Sequence, residues 1–144
     1  MYRIYYLYML HEIPIEKPYY CKVGYSDDPL RRLKQLQDGN PRPLRCWDFE
    51  QRPTKSFGFP LPSKEHAQRL EATVHDRLEG MGLRIRQDMN YETDRAPTRE
   101  WFAEMHPKQL WHLMAMMYWT YLQEQSINFE TIHPGLDGNP SNET

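Results

Sequence analysis

Residues 6–36 constrain the fold more than any other part of the chain. The run Tyr6-Leu7-Tyr8-Met9-Leu10 is followed by a polar, proline-bearing turn and then by Tyr19-Tyr20-Cys21-Lys22-Val23-Gly24. Two aromatic, β-favouring runs around a short turn-forming insert predict a hairpin, with strands over about residues 2–11 and 19–25. Alternation along a strand puts Ile4, Tyr6 and Tyr8 on one face. A helix over about residues 29–37 follows at once, with an aspartate at its N-cap and Pro29 at its first position. Its buried stripe is Leu30, Leu33 and Leu36. At about 100° per residue Arg31 falls nearly opposite that stripe, and Arg32 lies at its edge beside Leu36. A hairpin feeding a helix, with strand tyrosines and first-turn arginines, suits a phosphate-handling site.

Gly39-Asn40-Pro41 stops this helix. Leu44-Arg45-Cys46-Trp47-Asp48-Phe49 alternates and predicts a third strand. Residues 51–62 hold three prolines, a glycine and two phenylalanines, the composition of an irregular loop whose aromatic rings either stack on bases or, as the favoured expectation, pack down. The next helix spans about residues 64–80, capped by Ser63 and ended by Gly80 and Gly82. Its apolar stripe is Ala67, Leu70, Val74 and Leu78, and Glu71 falls inside it, within roughly 20° of Leu78. Burying an unpaired carboxylate is costly, so Glu71 calls for a cation: an arginine, a protein N–H or a metal. His75, one turn on, sits at the stripe's flank.

A short fourth strand is expected at Leu83-Arg84-Ile85-Arg86, and Arg99-Glu100-Trp101-Phe102 is expected to close the domain as an edge segment. The last helix, about residues 107–124, starts at Pro107 and is apolar nearly all round from Trp111 to Leu122. It wraps into the core or packs on a partner, with a homodimer through the helix between Trp111 and Leu122 as one expectation. The expected organisation is therefore a small α/β (α+β) domain over residues 1–105, with a short central mixed or antiparallel sheet flanked by helices. Residues 106–125 add the hydrophobic helix and residues 126–144 a loosely ordered tail.

At 144 residues one domain with a real core is the default. No apolar run is long enough to span a membrane and no basic-then-apolar leader opens the chain, so a soluble, cytoplasmic protein is expected. Cys21 and Cys46 lack metal-ligand spacing and are expected as reduced, buried thiols, with a disulfide between neighbouring strands as the alternative. The net charge of −2 hides an asymmetry. Residues 17–55 carry nine Lys/Arg against five Asp/Glu, whereas residues 56–144 carry eight against thirteen. The basic part coincides with the hairpin and first helix.

These residues, in order, resemble the GIY-YIG nuclease superfamily. Its Gly-Ile-Tyr motif appears as Tyr6-Leu7-Tyr8 and its Tyr-Ile-Gly motif as Lys22-Val23-Gly24. Arg32 stands eight residues beyond the motif glycine, where the superfamily has its helix arginine. Lys22, Gly39-Asn40-Pro41 and Glu100-Trp101-Phe102 are most similar to the phage and bacterial open-reading-frame (meiotically-up-regulated-gene-like) branch. The resemblance covers roughly residues 2–103, and two of the three letters of each name motif have changed.

The resemblance implies a metal-dependent endonuclease that hydrolyses DNA, with RNA not excluded as a partner and no membrane involved. It implies Tyr8 as general base on water, Arg32 on a phosphate oxygen, and Glu71 as ligand of one divalent metal, Mg²⁺ or Mn²⁺. A zinc site from Glu71, His75 and a third ligand fits less well, because hard oxygen ligation suits magnesium or manganese. Lys22 stands where many relatives have a second tyrosine and either lowers the Tyr8 pKa or touches phosphate. Tyr25 is a further site candidate, and Tyr6, Gly24, His75 and Glu100 are candidate supports. Tyr5, Tyr19 and Tyr20 are expected to be ordinary packing residues. The competing expectation is a catalytically silent nucleic-acid-binding or protein-interaction module, in which Glu71 and Arg32 form a structural ion pair.

Overall fold

The hairpin forms where the two aromatic runs predict it. Strand β1 (Tyr5–Glu12) pairs antiparallel with β2 (Tyr20–Ser26), placing Tyr8 opposite Gly24 and Leu10 opposite Lys22. The structure is a computed structural model and describes residues 3–48, 57–83 and 101–132. The other edge of β1 is shared. Strand β3 (Leu44–Cys46) pairs with Leu10, His11 and Glu12, and β4 (Phe59–Leu61) pairs with Tyr5, Tyr6 and Leu7, so the two short strands lie end to end along β1. Strand β5 (Trp101–Ala103) extends the sheet beyond β2, pairing only with Tyr20, Cys21 and Lys22. Every described pairing is antiparallel.

Alternation along the strands separates two apolar layers. Leu7, Met9, Cys21, Val23, Phe59 and Leu61 face one side. There they meet Ala67, Leu70, Val74 and Leu78 of α2 (Lys64–Gly80) and Leu110, Met114 and Tyr118 of α3 (Pro107–Glu124). Tyr8, Leu10, Leu44, Cys46 and Phe57 face the other, covered by Leu30, Leu33 and Leu36 of α1 (Pro29–Asp38). Burial of each such aliphatic side chain is worth about 1.5–3 kcal/mol, and β1, inaccessible on both faces from Tyr6 to His11, anchors both layers. Caps fix the helix starts: the Asp28 side chain accepts from the Arg31 N–H at 3.1 Å, and Ser63 Oγ from the His66 N–H at 3.2 Å.

Several expectations need correction. The third strand ends at Cys46, three residues short of Phe49. The stretch expected as loop contains β4, because Phe59 and Leu61 alternate inward beside Leu7 and Tyr5. Pro60 disguised it, yet a proline is tolerated in a short peripheral strand, and its carbonyl accepts the Tyr118 hydroxyl at 2.8 Å. Phe57 and Phe59 do pack down. Cys21 and Cys46 are free and buried in different layers, which removes the disulfide alternative.

Helix α3 packs on its own domain through Leu110, Met114, Tyr118, Tyr121 and Leu122, while Met116 and Trp119 remain exposed. The chain after Ser126 is not loose throughout. A four-residue helical turn, α4 (Phe129–Ile132), buries Ile132 and sets Phe129 4.9 Å from the Trp119 ring. The strand expected at residues 83–86 falls, after Leu83, outside the described residues, as does Glu100. No described helix is long and apolar enough to cross a membrane.

Candidate active site

Three separate elements converge beyond the described pairing of β5 with β2. Beyond Lys22 the β2 edge is met by α2: His75 Nε2 donates to the Val23 carbonyl at 2.9 Å, and Gln68 Nε2 donates to the Tyr25 hydroxyl at 2.9 Å. The helix therefore runs antiparallel to the end of β2. Glu71, one turn before His75, is carried to the sheet margin. From the other face α1 brings Arg32. Between them opens a polar cleft of about 410 Å³ whose walls include Tyr8, Gly24, Arg32, Glu71 and Lys64, with Tyr5, Tyr25, Ser26 and Asp27 towards the strand end.

Tyr8 lies at the bottom, 2% exposed. Gly24 makes room for it: a Cβ there would stand 2.7 Å from the Tyr8 hydroxyl oxygen. Burial pushes the Tyr8 pKa above that of an ordinary phenol, while Arg32, through its charge and a side-chain hydrogen bond, pulls it back. Arg31, in contrast, is held 3.4 Å from Asp27 on the surface, and Arg3 binds the same carboxylate at 3.0 Å. The helical-wheel preference for Arg32 over Arg31 thus matches the cleft.

Glu71 and Lys22 oppose one another electrostatically. Burial raises the Glu71 pKa and the Lys22 charge lowers it. Burial drives Lys22 down to about 7, helped by Arg32 and resisted by Glu71. Lys22 is 3% exposed and is not among the cleft walls, so it acts on the site as a charge beneath it. His75 Nε2 is 3.9 Å from Glu71 Oε2, and donating to the Val23 carbonyl requires the proton on that nitrogen. His75 is thereby a strand-edge clamp and a neighbour of Glu71, with Nε2 occupied.

Of the residues expected from sequence, the cleft brings together Tyr8, Arg32, Glu71, Gly24 and Tyr25. Tyr6 lies apart from it, buried across from Ser26 and Pro60. Tyr5 was expected only to pack, yet it lines the cleft and meets Tyr25 edge-on, ring centroids 6.2 Å apart. Lys64 and Gln68 carry no motif signal; their place follows from the direction of α2.

Among the described residues no group of three or more His, Cys, Asp or Glu side chains could cage a metal. Of the two carboxylates at the cleft, Asp27 is already bound by Arg3 and Arg31, which leaves the half-buried Glu71 as the donor. Such a donor fits a magnesium or manganese ion, which keeps several waters and takes one or two carboxylates. A second cleft, about 390 Å³, sits at the hairpin turn near His11, Tyr19 and Tyr20, where Arg42 and Glu12 close on each other at 3.0 Å.

No curated protein and no solved structure matches this chain. Residues 5–117, from the start of β1 into α3, match the T5orf172 domain, and the chain belongs to that family.

Proposed function

We propose that the chain is a metal-dependent endonuclease of the GIY-YIG type that hydrolyses DNA phosphodiester bonds. The observation that carries this reading is the convergence of the Tyr8 hydroxyl, the Arg32 guanidinium and the Glu71 carboxylate, from three elements, in one polar cleft. The T5orf172 family supports a nucleic-acid-related role in general; the ordered motifs support the finer assignment.

In this mechanism water attacks phosphorus, one P–O bond breaks and the proton of the water passes to Tyr8. The phenol accepts it only from its ionised form, and Arg32 is the neighbour that favours that form against burial. The guanidinium also offers donors in a planar fork suited to a non-bridging phosphate oxygen. Glu71 would hold the divalent ion, which supplies charge stabilisation to the phosphate and the leaving oxygen when bound. Lys22, in its charged form, favours the ionised Glu71 carboxylate against the effect of burial.

One observation favours a second reading, a DNA-binding module without catalysis: Tyr8 is 2% exposed and burial holds it protonated. Incubation of wild type and Glu71→Gln with supercoiled and branched DNA, in Mg²⁺, Mn²⁺ or EDTA, separates the two. Cleavage by wild type alone, abolished by EDTA, supports the nuclease. Binding with no cleavage under any condition overturns it and leaves the module.

A further inference from the structure

The cleft has an aromatic wall that the hydrolytic mechanism does not use. Tyr5 and Tyr25 are both partly exposed and meet edge to face at 61°. Gln68 donates to the Tyr25 hydroxyl, so the ring is oriented before anything binds. Lys64, on the first turn of α2, is exposed at the same cleft. An aromatic wall beside two cations, Arg32 and Lys64, offers a π-face for a base and a fork and an ammonium for phosphate.

The depth of the site restricts the substrate. A reacting phosphate has to approach the Tyr8 hydroxyl at the bottom, between α1 and α2, in a space of about 410 Å³. That volume is at the small end for ligand pockets, which run about 300–1,000 Å³. One nucleotide turned inward fits this open cleft and reaches the aromatic wall, whereas a nucleotide stacked and paired within a helix keeps its base away from it.

We propose that this cleft takes an unpaired nucleotide, its base against the Tyr5–Tyr25 pair and its phosphate between Arg32 and Lys64. The inference deepens the nuclease reading and rests on it for the identity of the site, but concerns recognition. The shared chemistry is a nucleotide free of its partner, supplied by a single strand or by an unpaired position at a bulge or branch.

The test measures binding, apart from cleavage, by fluorescence anisotropy of the full chain in EDTA. The probes are a labelled single strand, the same sequence as a blunt duplex, and the duplex with a three-nucleotide bulge. Expected is tighter binding to the single strand or the bulge than to the blunt duplex at equal salt, the two arms identifying the source. Tyr25→Leu removes the π-face and is expected to weaken the preferred probe about tenfold, while Tyr25→Phe keeps the ring and the affinity. Lys64→Ala, at an exposed position that leaves the fold intact, is expected to lower the salt dependence of binding. Equal or tighter binding to the blunt duplex overturns the proposal, as does a Tyr25→Leu variant, folded by circular dichroism, that binds like wild type. Ring-dependent binding of unpaired nucleotides without any cleavage supports this inference while sinking the nuclease reading. Cleavage of blunt duplex, indifferent to Tyr25→Leu, does the reverse.

Discussion

Tyr8 and Gly24 face one another across the β1–β2 ladder, and the phenol occupies the space a side chain at Gly24 would fill. A Cβ at that position would lie 2.7 Å from the Tyr8 hydroxyl oxygen and 2.9 Å from Cζ. The glycine of the second motif is thus required by the tyrosine of the first. Gly24→Ala is expected to push the ring away from Arg32 and to destabilise the domain by about 1–3 kcal/mol, the range for overpacking a filled core. Urea unfolding checks the stability, and cleavage is expected to fall by more than the stability loss explains. A variant as stable and as active as wild type would show that the ring moves aside without consequence.

Tyr8→Phe separates the hydroxyl from the packing. The ring still fills the layer formed by Leu10, Leu44 and Phe57, so stability is expected to stay within about 1 kcal/mol of wild type. Cleavage is expected to drop about 10²–10⁴-fold if the hydroxyl is the general base. Arg32→Lys keeps the charge but loses the planar fork, and is expected to reduce cleavage even where DNA binding persists. Single-turnover assays beside anisotropy measurements check both. Full activity of Tyr8→Phe would remove Tyr8 from the proton transfer.

Much of this arrangement was legible in the sequence, because local rules and global packing agree there. Caps and periodicity placed α2 and α3 at their observed bounds, and the wheel position of Glu71 pointed to a cation-seeking carboxylate. What was not legible depended on which elements meet. Strand β4 exists because Phe59 and Leu61 find the free end of β1, a tertiary pairing that outweighs the proline between them. Tyr5 became a cleft residue because Tyr25 and α2 flank it, and no spacing within either strand encodes that. The helical turn Phe129–Ile132 forms against Trp119, which an isolated polar stretch does not announce.

The two thiols offer a check on the layers themselves. Cys21 and Cys46 are each 1% exposed, on opposite faces of the sheet. Burial pushes Cys21 up to about 12 and Cys46 also far above an ordinary thiol. Since the thiolate is the reactive form, both are expected to resist a thiol-specific disulfide reagent in the native state and to react fully in denaturant. Rapid labelling of either in the folded protein would contradict its place in the core.

Lys22 sets a pH dependence whose sign follows from its burial. Its folded pKa, about 7, lies below its unfolded value, so between those two values the unfolded chain binds more protons. Stability from this group therefore rises with pH from about 7 towards the ordinary lysine range, and below that window the buried charge is a full penalty. Glu71 works in the opposite direction at lower pH: its raised pKa means the folded state holds a proton longer, so its contribution falls as pH rises above the usual carboxylate range. Lys22→Met keeps the length and removes the buried charge. It is expected to melt at higher temperature than wild type at pH 7, with the difference shrinking as pH approaches 10. Because Lys22 also lowers the Glu71 pKa, the same variant is expected to move the acid limb of the cleavage profile to higher pH. Thermal melts from pH 6 to 10, with cleavage measured across the same series, read both effects. If the melting difference is constant over that range, Lys22 titrates alike in the folded and unfolded chain, and its assignment as a buried charge beneath Glu71 fails.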